Sequence, residues 1–202
     1  MGKKKVGWII VLGIILVAII FVFTFFLSVR NEFTKYLDTK YPQLSFKVGF
    51  AKTSLLYNYY YADVICLNDD THFVISKNTN TKNISQQYIQ NKSQTQYNTK
   101  LKNAFNGSAV QKSIRSVTGG GEVPFKDNSP YKQINIYLIN NTNQIADAKE
   151  IMRILKTKVV FAGEFVSFTY EKDKNLYELW LSLGDSNLTE KEIGAKAKRM
   201  NN

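Results

Sequence analysis

The chain has 202 residues, the length of one domain or two small ones. Hydrophobic residues make up 44% and charged residues 21%, a globular balance that excludes wholesale disorder. A single Cys and a single His exclude an intrachain disulfide, a Cys/His zinc cluster and any Cys–His or Ser–His–Asp centre not built on His72.

Val6 to Ser28 is 23 residues without a charge. At 1.5 Å per residue a helix of that length crosses a hydrocarbon core of about 30 Å. A single segment in lipid satisfies its own backbone only as a helix. A core helix rarely stays apolar on every face for so long. A secretory apolar region is about 7–15 residues and ends at a small-x-small site. Here the run ends Phe25-Phe26-Leu27-Ser28-Val29-Arg30. The expectation is an uncleaved single-pass anchor. Cys66 lies far beyond the run, so there is no lipobox, and Val6 stands where a myristoylation signal has Ser or Thr.

Charge sets the expected orientation. Lys3, Lys4 and Lys5 face Arg30, Lys35 and Lys40 across the run, the latter partly offset by Glu32 and Asp38. The count is nearly a tie, and the leading cluster usually dominates while long domains cross regardless of charge. Residues 1–5 are expected in the cytoplasm, 6–28 across the membrane and 29–202 outside.

Val29, Phe33, Tyr36 and Leu37 continue a helical stripe to Tyr41, where Pro42 stops it. Leu44, Phe46, Val48 and Phe50 alternate with polar residues and glycine and predict a strand. Asn58–Leu67 and Thr71–Ser76 predict two more, joined by an Asn68-Asp69-Asp70 turn. Asn83-Ile84-Ser85-Gln86 has the spacing of a capping box and predicts a helix from there to Phe105, with Ile84, Tyr88, Leu101 and Phe105 buried. Residues 106–130, with Gly119-Gly120-Gly121, Pro124 and Pro130, read as a loop or boundary between two halves, with a short strand near Val110–Val117.

Ile134, Ile136 and Leu138 predict a strand. Ile145, Ala148, Met152 and Leu155 predict a helix after Thr142. Phe165–Glu171 and Leu176–Leu183 predict a hairpin about the polar tip Lys172–Asn175. Thr189-Glu190-Lys191-Glu192 is a second capping box and predicts a last helix to about Met200. The class is α+β: an anchor helix, then a helix-strand-strand-strand-helix unit over 29–105 and a strand-helix-strand-strand-helix unit over 131–202. Their shared order of elements suggests two similar halves, although residue identity between them is slight.

The run Lys35-Tyr36-Leu37-Asp38-Thr39-Lys40-Tyr41-Pro42, the Tyr-rich strand, Asp70-Thr71-His72-Phe73-Val74 and the ending with Tyr177-Glu178-Leu179 and Leu188-Thr189-Glu190 carry a resemblance. The chain resembles small membrane-anchored proteins of Gram-positive bacteria, the YfjL-like group. The resemblance implies an anchored α+β layout and brings no catalytic residues with it.

Several residues are of types that carry chemistry elsewhere. Asp69, Asp70 and His72 are the types for a general base or a hard-cation site, but Asn and Asp are also what a hairpin turn needs, and spacing places no third ligand or nucleophile. Gly119-Gly120-Gly121 lacks the Lys-Ser/Thr of a phosphate loop and is followed by Glu122 and Pro124. Cys66 reads as a small buried hydrophobe. Tyr57, Tyr59, Tyr60 and Tyr61 suit a stacking platform, yet a strand sends alternate rings to opposite faces, which favours packing.

No catalytic, cofactor or metal residue is therefore assigned. Without Lys3, Lys4 and Lys5 the chain still has 24 basic against 16 acidic residues. These are dispersed, which argues against nucleic acid, and they favour anionic head groups or an anionic envelope polymer. The expected function is a membrane-tethered interaction or sensing module whose contacts are the bilayer and a membrane-protein partner or that polymer. An envelope hydrolase using Asp69, Asp70 and His72 is the first alternative. A pilin-like subunit is the second, weakened by Leu12 where such chains carry Glu.

Overall fold

In the computed structural model, residues 3–54, 56–140 and 143–200 are described. Helix α1 runs without a break from Lys3 to Lys40. It is the one helix among the described residues long and apolar enough to cross a membrane. Its last turns change character: Val29, Phe33 and Leu37 are buried, while the apolar residues from Ile10 to Phe23 lie open. Ser28 is where one stripe gives way to all-round apolarity, as the sequence predicts.

The chain forms two compact units, residues 1–91 and 92–202. In the first, strands β1 (Phe46–Val48), β2 (Lys52–Ser54), β3 (Tyr59–Cys66), β4 (His72–Asn78) and β5 (Ile84–Gln86) make a wholly antiparallel sheet. Both β1 and β2 pair along β3, at Val48↔Val64 and Lys52↔Tyr61. The expected Leu44–Phe50 strand is thus shorter and is followed by a second piece. Ala62, Val64 and Cys66 of β3 and Phe73 and Ile75 of β4 join Val29, Phe33 and Leu37 in one buried cluster.

Helix α2 spans Tyr88–Ala104. The Asn83–Gln86 box does not open it. Those residues become β5, because β4 offers an open edge that Ile84, Ser85 and Gln86 pair with. The Gln86 side chain instead accepts from the Tyr88 N–H at 2.6 Å and donates to the Tyr41 hydroxyl at 2.9 Å.

The second unit holds β6 (Ile114–Gly121), β7 (Tyr131–Leu138), α3 (Gln144–Lys158), β8 (Val166–Lys172), β9 (Asn175–Leu181), α4 (Glu190–Ala195) and β10 (Lys198–Arg199). Thr142, which precedes the third predicted helix, lies outside the described residues. The sheet order is β10-β9-β8-β7-β6. All pairs are antiparallel except β7 and β8, which are parallel and joined through α3. The expected likeness between halves is not seen in element order, since five strands lie between α1 and α2 and two between α3 and α4, and among the described residues the first sheet has no parallel crossover.

Two further expectations are corrected. The region 106–130 is not a loop throughout, since it contains a 3₁₀ turn at Ala109–Ser113 and all of β6, and the division between units falls earlier, within α2. The last helix is short. Thr189 caps it, its hydroxyl accepting from the Glu192 N–H, but Gly194 weakens its continuation. The chain then pairs with the open edge of β9 through Lys198↔Glu178 and Arg199↔Tyr177.

Candidate functional site

The β3–β4 turn separates the three residues proposed for hydrolysis. Asp69, at the surface, is held by two hydrogen bonds: one oxygen accepts from the Thr71 N–H at 3.1 Å, the other from the Tyr88 hydroxyl at 2.7 Å. Asp70 occupies the left-handed region at φ 56° and points to solvent. His72 Nε2 lies 3.7 Å from Asp70 Oδ1, with both side chains largely exposed. Asp70 and His72 are brought together, but in open water, where such a pair has little mutual effect. Among the described residues no three His, Cys, Asp or Glu side chains converge as a metal site.

Cys66 is fully buried, as expected. Its sulfur lies 3.8 Å from the Tyr88 hydroxyl. Around that phenol pack the rings of Tyr41, Phe46 and Phe73 at 5.2–5.6 Å. Burial, reinforced by Asp69 and Cys66, pushes the Tyr88 phenol well above its ordinary pKa, so it stays a neutral donor. The sequence marked Tyr88 as a buried contact; the hydroxyl's carboxylate partner, distant in the chain, carried no local signal.

The triglycine is a strand segment packed under aromatic rings, not a phosphate loop. A Cβ on Gly119 would come within 2.8 Å of the Tyr131 ring. The Gly119 N–H donates to Asn98 Oδ1 and its carbonyl accepts from Gln94 Nε2. Gly119 and Gly121 leave room for the Tyr131 and Tyr97 rings, whereas Gly120 has space for a side chain.

The tyrosines divide by strand parity. Tyr60 packs on the helix, 5.4 Å from the Phe25 ring and 6.3 Å from Phe26. Tyr57, Tyr59 and Tyr61 form an outward ladder with ring spacings of 6.1 and 5.7 Å, and Lys52 sits 5.7 Å over Tyr61. Packing accounts for Tyr60; of the outward three, Tyr57 is exposed and Tyr59 and Tyr61 are half-buried. Beside them Phe50 stacks on Phe23 at 5.7 Å while staying 47% exposed, and Leu56 is 90% exposed. The sequence placed Phe50 on the strand face and did not single out Leu56; the fold brings Phe50 against α1 and leaves Leu56 open in the β2–β3 turn.

The second unit has a cleft of about 680 Å³ that the sequence did not indicate. Asn143 and Gln144 at the start of α3, Tyr170 and Tyr177 on β8 and β9, Lys172 and Glu190 line it. The two tyrosine rings stack at 5.6 Å, nearly parallel. Burial raises the Tyr170 pKa, with a smaller contribution from Tyr177. The cleft mixes charges of both signs with two flat rings, a lining that could hold a polar ligand or peptide.

The chain has no match among known family models, curated proteins or solved structures.

Proposed function

We propose that this chain is a membrane-tethered, non-catalytic interaction or sensing module of a bacterial cell envelope, of the YfjL-like kind, with residues 29–202 outside. The observation that carries this reading is the continuity of α1. One unbroken helix supplies both an open apolar run and, through Val29, Phe33 and Leu37, part of the first unit's core. Arg30 Nε donates to the Val48 carbonyl at 3.0 Å and Lys77 meets Glu32 at 2.6 Å, so the helix is also pinned to the sheet.

A tether fused to its domain holds that domain at a fixed height and orientation. Confinement raises the effective concentration toward a neighbour, so weak contacts suffice. The partner is a neighbouring membrane protein or an anionic envelope polymer, consistent with the basic balance.

Crosslinking of the full chain in native membranes, followed by mass spectrometry, tests the reading. Recovery of one specific membrane protein or polymer, retained by the His72→Ala variant, is the expected result. Absence of any partner together with turnover of an envelope substrate that His72→Ala abolishes would overturn it.

A further inference from the structure

We propose that the first unit docks on the bilayer itself: Phe50 and the β2–β3 turn around Leu56 and Tyr57 enter the boundary between head groups and acyl chains. The inference rests on α1 spanning the membrane.

The strands of this unit descend along α1 toward its apolar run. Phe46 of β1 meets Tyr41, beyond the helix end. Val48 is held by Arg30. Phe50 meets Phe26 and then Phe23. On β3, Tyr60 reaches Phe25 and Phe26. The β2–β3 turn lies beyond Tyr59, farther in the same direction.

Depth follows from helix geometry. Counted from Val6 at 1.5 Å per residue, about 30 Å of hydrocarbon ends near Phe25. Phe23 lies inside that limit, and Phe50 stacks on it. Phe50 together with Ile19, Val22, Phe23 and Phe26 walls an apolar groove of about 510 Å³. At that depth acyl chain is the available filler, not water.

The surrounding chemistry is that of a membrane boundary. Phe50, which touches the apolar run through Phe23 and Phe26, is exposed, as are Leu56 and Tyr57 in the β2–β3 turn. The Tyr57–Tyr59–Tyr61 ladder then rises from them, and amphipathic rings of this kind collect at head-group level. Lys52 tops the ladder over Tyr61, and Lys47 is exposed on β1. The neighbouring β4–β5 turn is polar and carries Lys82, and Thr79 donates from both its N–H and hydroxyl to the Asn58 carbonyl. Tying that polar turn to the apolar one limits insertion to a shallow depth. Anionic head groups complement the lysines.

The test uses the full chain in vesicles of phosphatidylcholine and phosphatidylglycerol. A Leu56→Cys variant carries an environment-sensitive fluorophore, with Tyr57→Cys as a second position and His72→Cys, at the opposite end of β4, as the reference. Cys66 is buried, so labelling is selective. Leu56 packs against little, so its replacement spares the fold. The expected result is a blue-shifted emission at 56 and 57 that loses most of its intensity to acyl-brominated lipid, while the label at 72 is unaffected. Labels at 56 and 57 as water-exposed as that at 72, in protein resistant to alkaline carbonate extraction, would overturn docking and leave the anchor standing. Extraction of the protein by carbonate would overturn the anchor and, with it, docking.

Discussion

The Lys77 ammonium bridges both oxygens of Glu32 at 2.6 Å, joining strand β4 to helix α1 across 45 residues of chain. The lysine side chain is 18% exposed and the glutamate 43%. The exposed Lys52–Asp63 pair, at 2.9 Å, is a useful contrast. Burial removes water that otherwise competes for the charges, so the first pair is worth more than the second. Lys77→Ala is expected to cost about 1–2 kcal/mol of stability, and Asp63→Ala less than about 0.5 kcal/mol. Thermal unfolding of the full chain in detergent measures both. Equal costs would mean that Lys77 does not pin the sheet to the helix.

Alkaline pH should destabilise the second unit through Tyr131. Its ring is buried against Tyr97, and its hydroxyl donates to the Tyr97 carbonyl at 3.1 Å. Burial, with a contribution from Tyr97, pushes its pKa up to about 12 from 10.0. A raised phenol pKa means the folded state keeps a proton that the unfolded chain releases. The stabilisation is complete below about pH 10 and is lost as pH rises toward about 12. Tyr131→Phe should flatten the stability–pH curve in that window, although Tyr170, whose pKa is also raised, leaves a residual slope. An unchanged slope in Tyr131→Phe would show that the phenol ionises freely in the fold.

The triglycine supplies a prediction that separates packing from ligand binding. At Gly119 an added methyl meets the Tyr131 ring at 2.8 Å and Leu101 at 3.0 Å, whereas at Gly120 the nearest atom is Gln94 Oε1 at 3.7 Å. Gly119→Ala should cost about 1–3 kcal/mol, the usual penalty of overpacking, and Gly120→Ala should be nearly neutral. Equal effects at the two positions would contradict the packing role.

How much of this was legible in sequence depended on whether the signal was local. Hairpins at β3–β4 and β8–β9 were readable because alternation and polar turn residues sit side by side: Asp173 and Lys174 take positive φ as such a tip requires. Burial of Val29, Phe33 and Leu37 followed from their spacing. The capping box at Thr189 formed, but the one at Asn83 did not, since the same three-residue spacing also suits a strand when an edge such as β4 waits for it. The parallel β7–β8 pair was illegible for the same reason: strand pairing is decided by tertiary placement of α3. The Asp69–Tyr88 hydrogen bond joins residues 19 apart and has no periodicity to announce it. Local spacing puts Asp70 beside His72, as found, whereas Asp69 is held by Tyr88, which no local pattern indicates.

Neighbouring residues on β9 test which face is core. Leu179 is fully buried opposite Phe168, and Trp180 is 54% exposed. Leu179→Ala should cost about 2–5 kcal/mol, from lost burial and the cavity left behind. Trp180→Ala should cost less than about 1 kcal/mol, as expected of a mainly exposed side chain. Chemical denaturation of the full chain in detergent reads both. A cost below about half a kcal/mol at Leu179 would mean that the inward face of the strand had been misassigned.

Orientation yields the last prediction. Lys3, Lys4 and Lys5 precede the apolar run, while Arg30 and Lys35 follow it with Glu32 between them. Glu32 offsets part of the charge of Arg30 and Lys35, and a long domain crosses largely regardless of its charge, so the leading lysines are the cluster expected to decide orientation, and they favour the cytoplasm. A protease-cleavable tag placed after Asn202 should therefore be removed from intact cells, or from protoplasts where a wall intervenes. An external marker protein serves as the positive control and a cytoplasmic one as the negative. Removal of the tag with the cytoplasmic marker intact places the C-terminal side outside. Full protection of the tag, while the external marker is cleaved, would reverse the orientation and move the proposed partner to the cytoplasmic face.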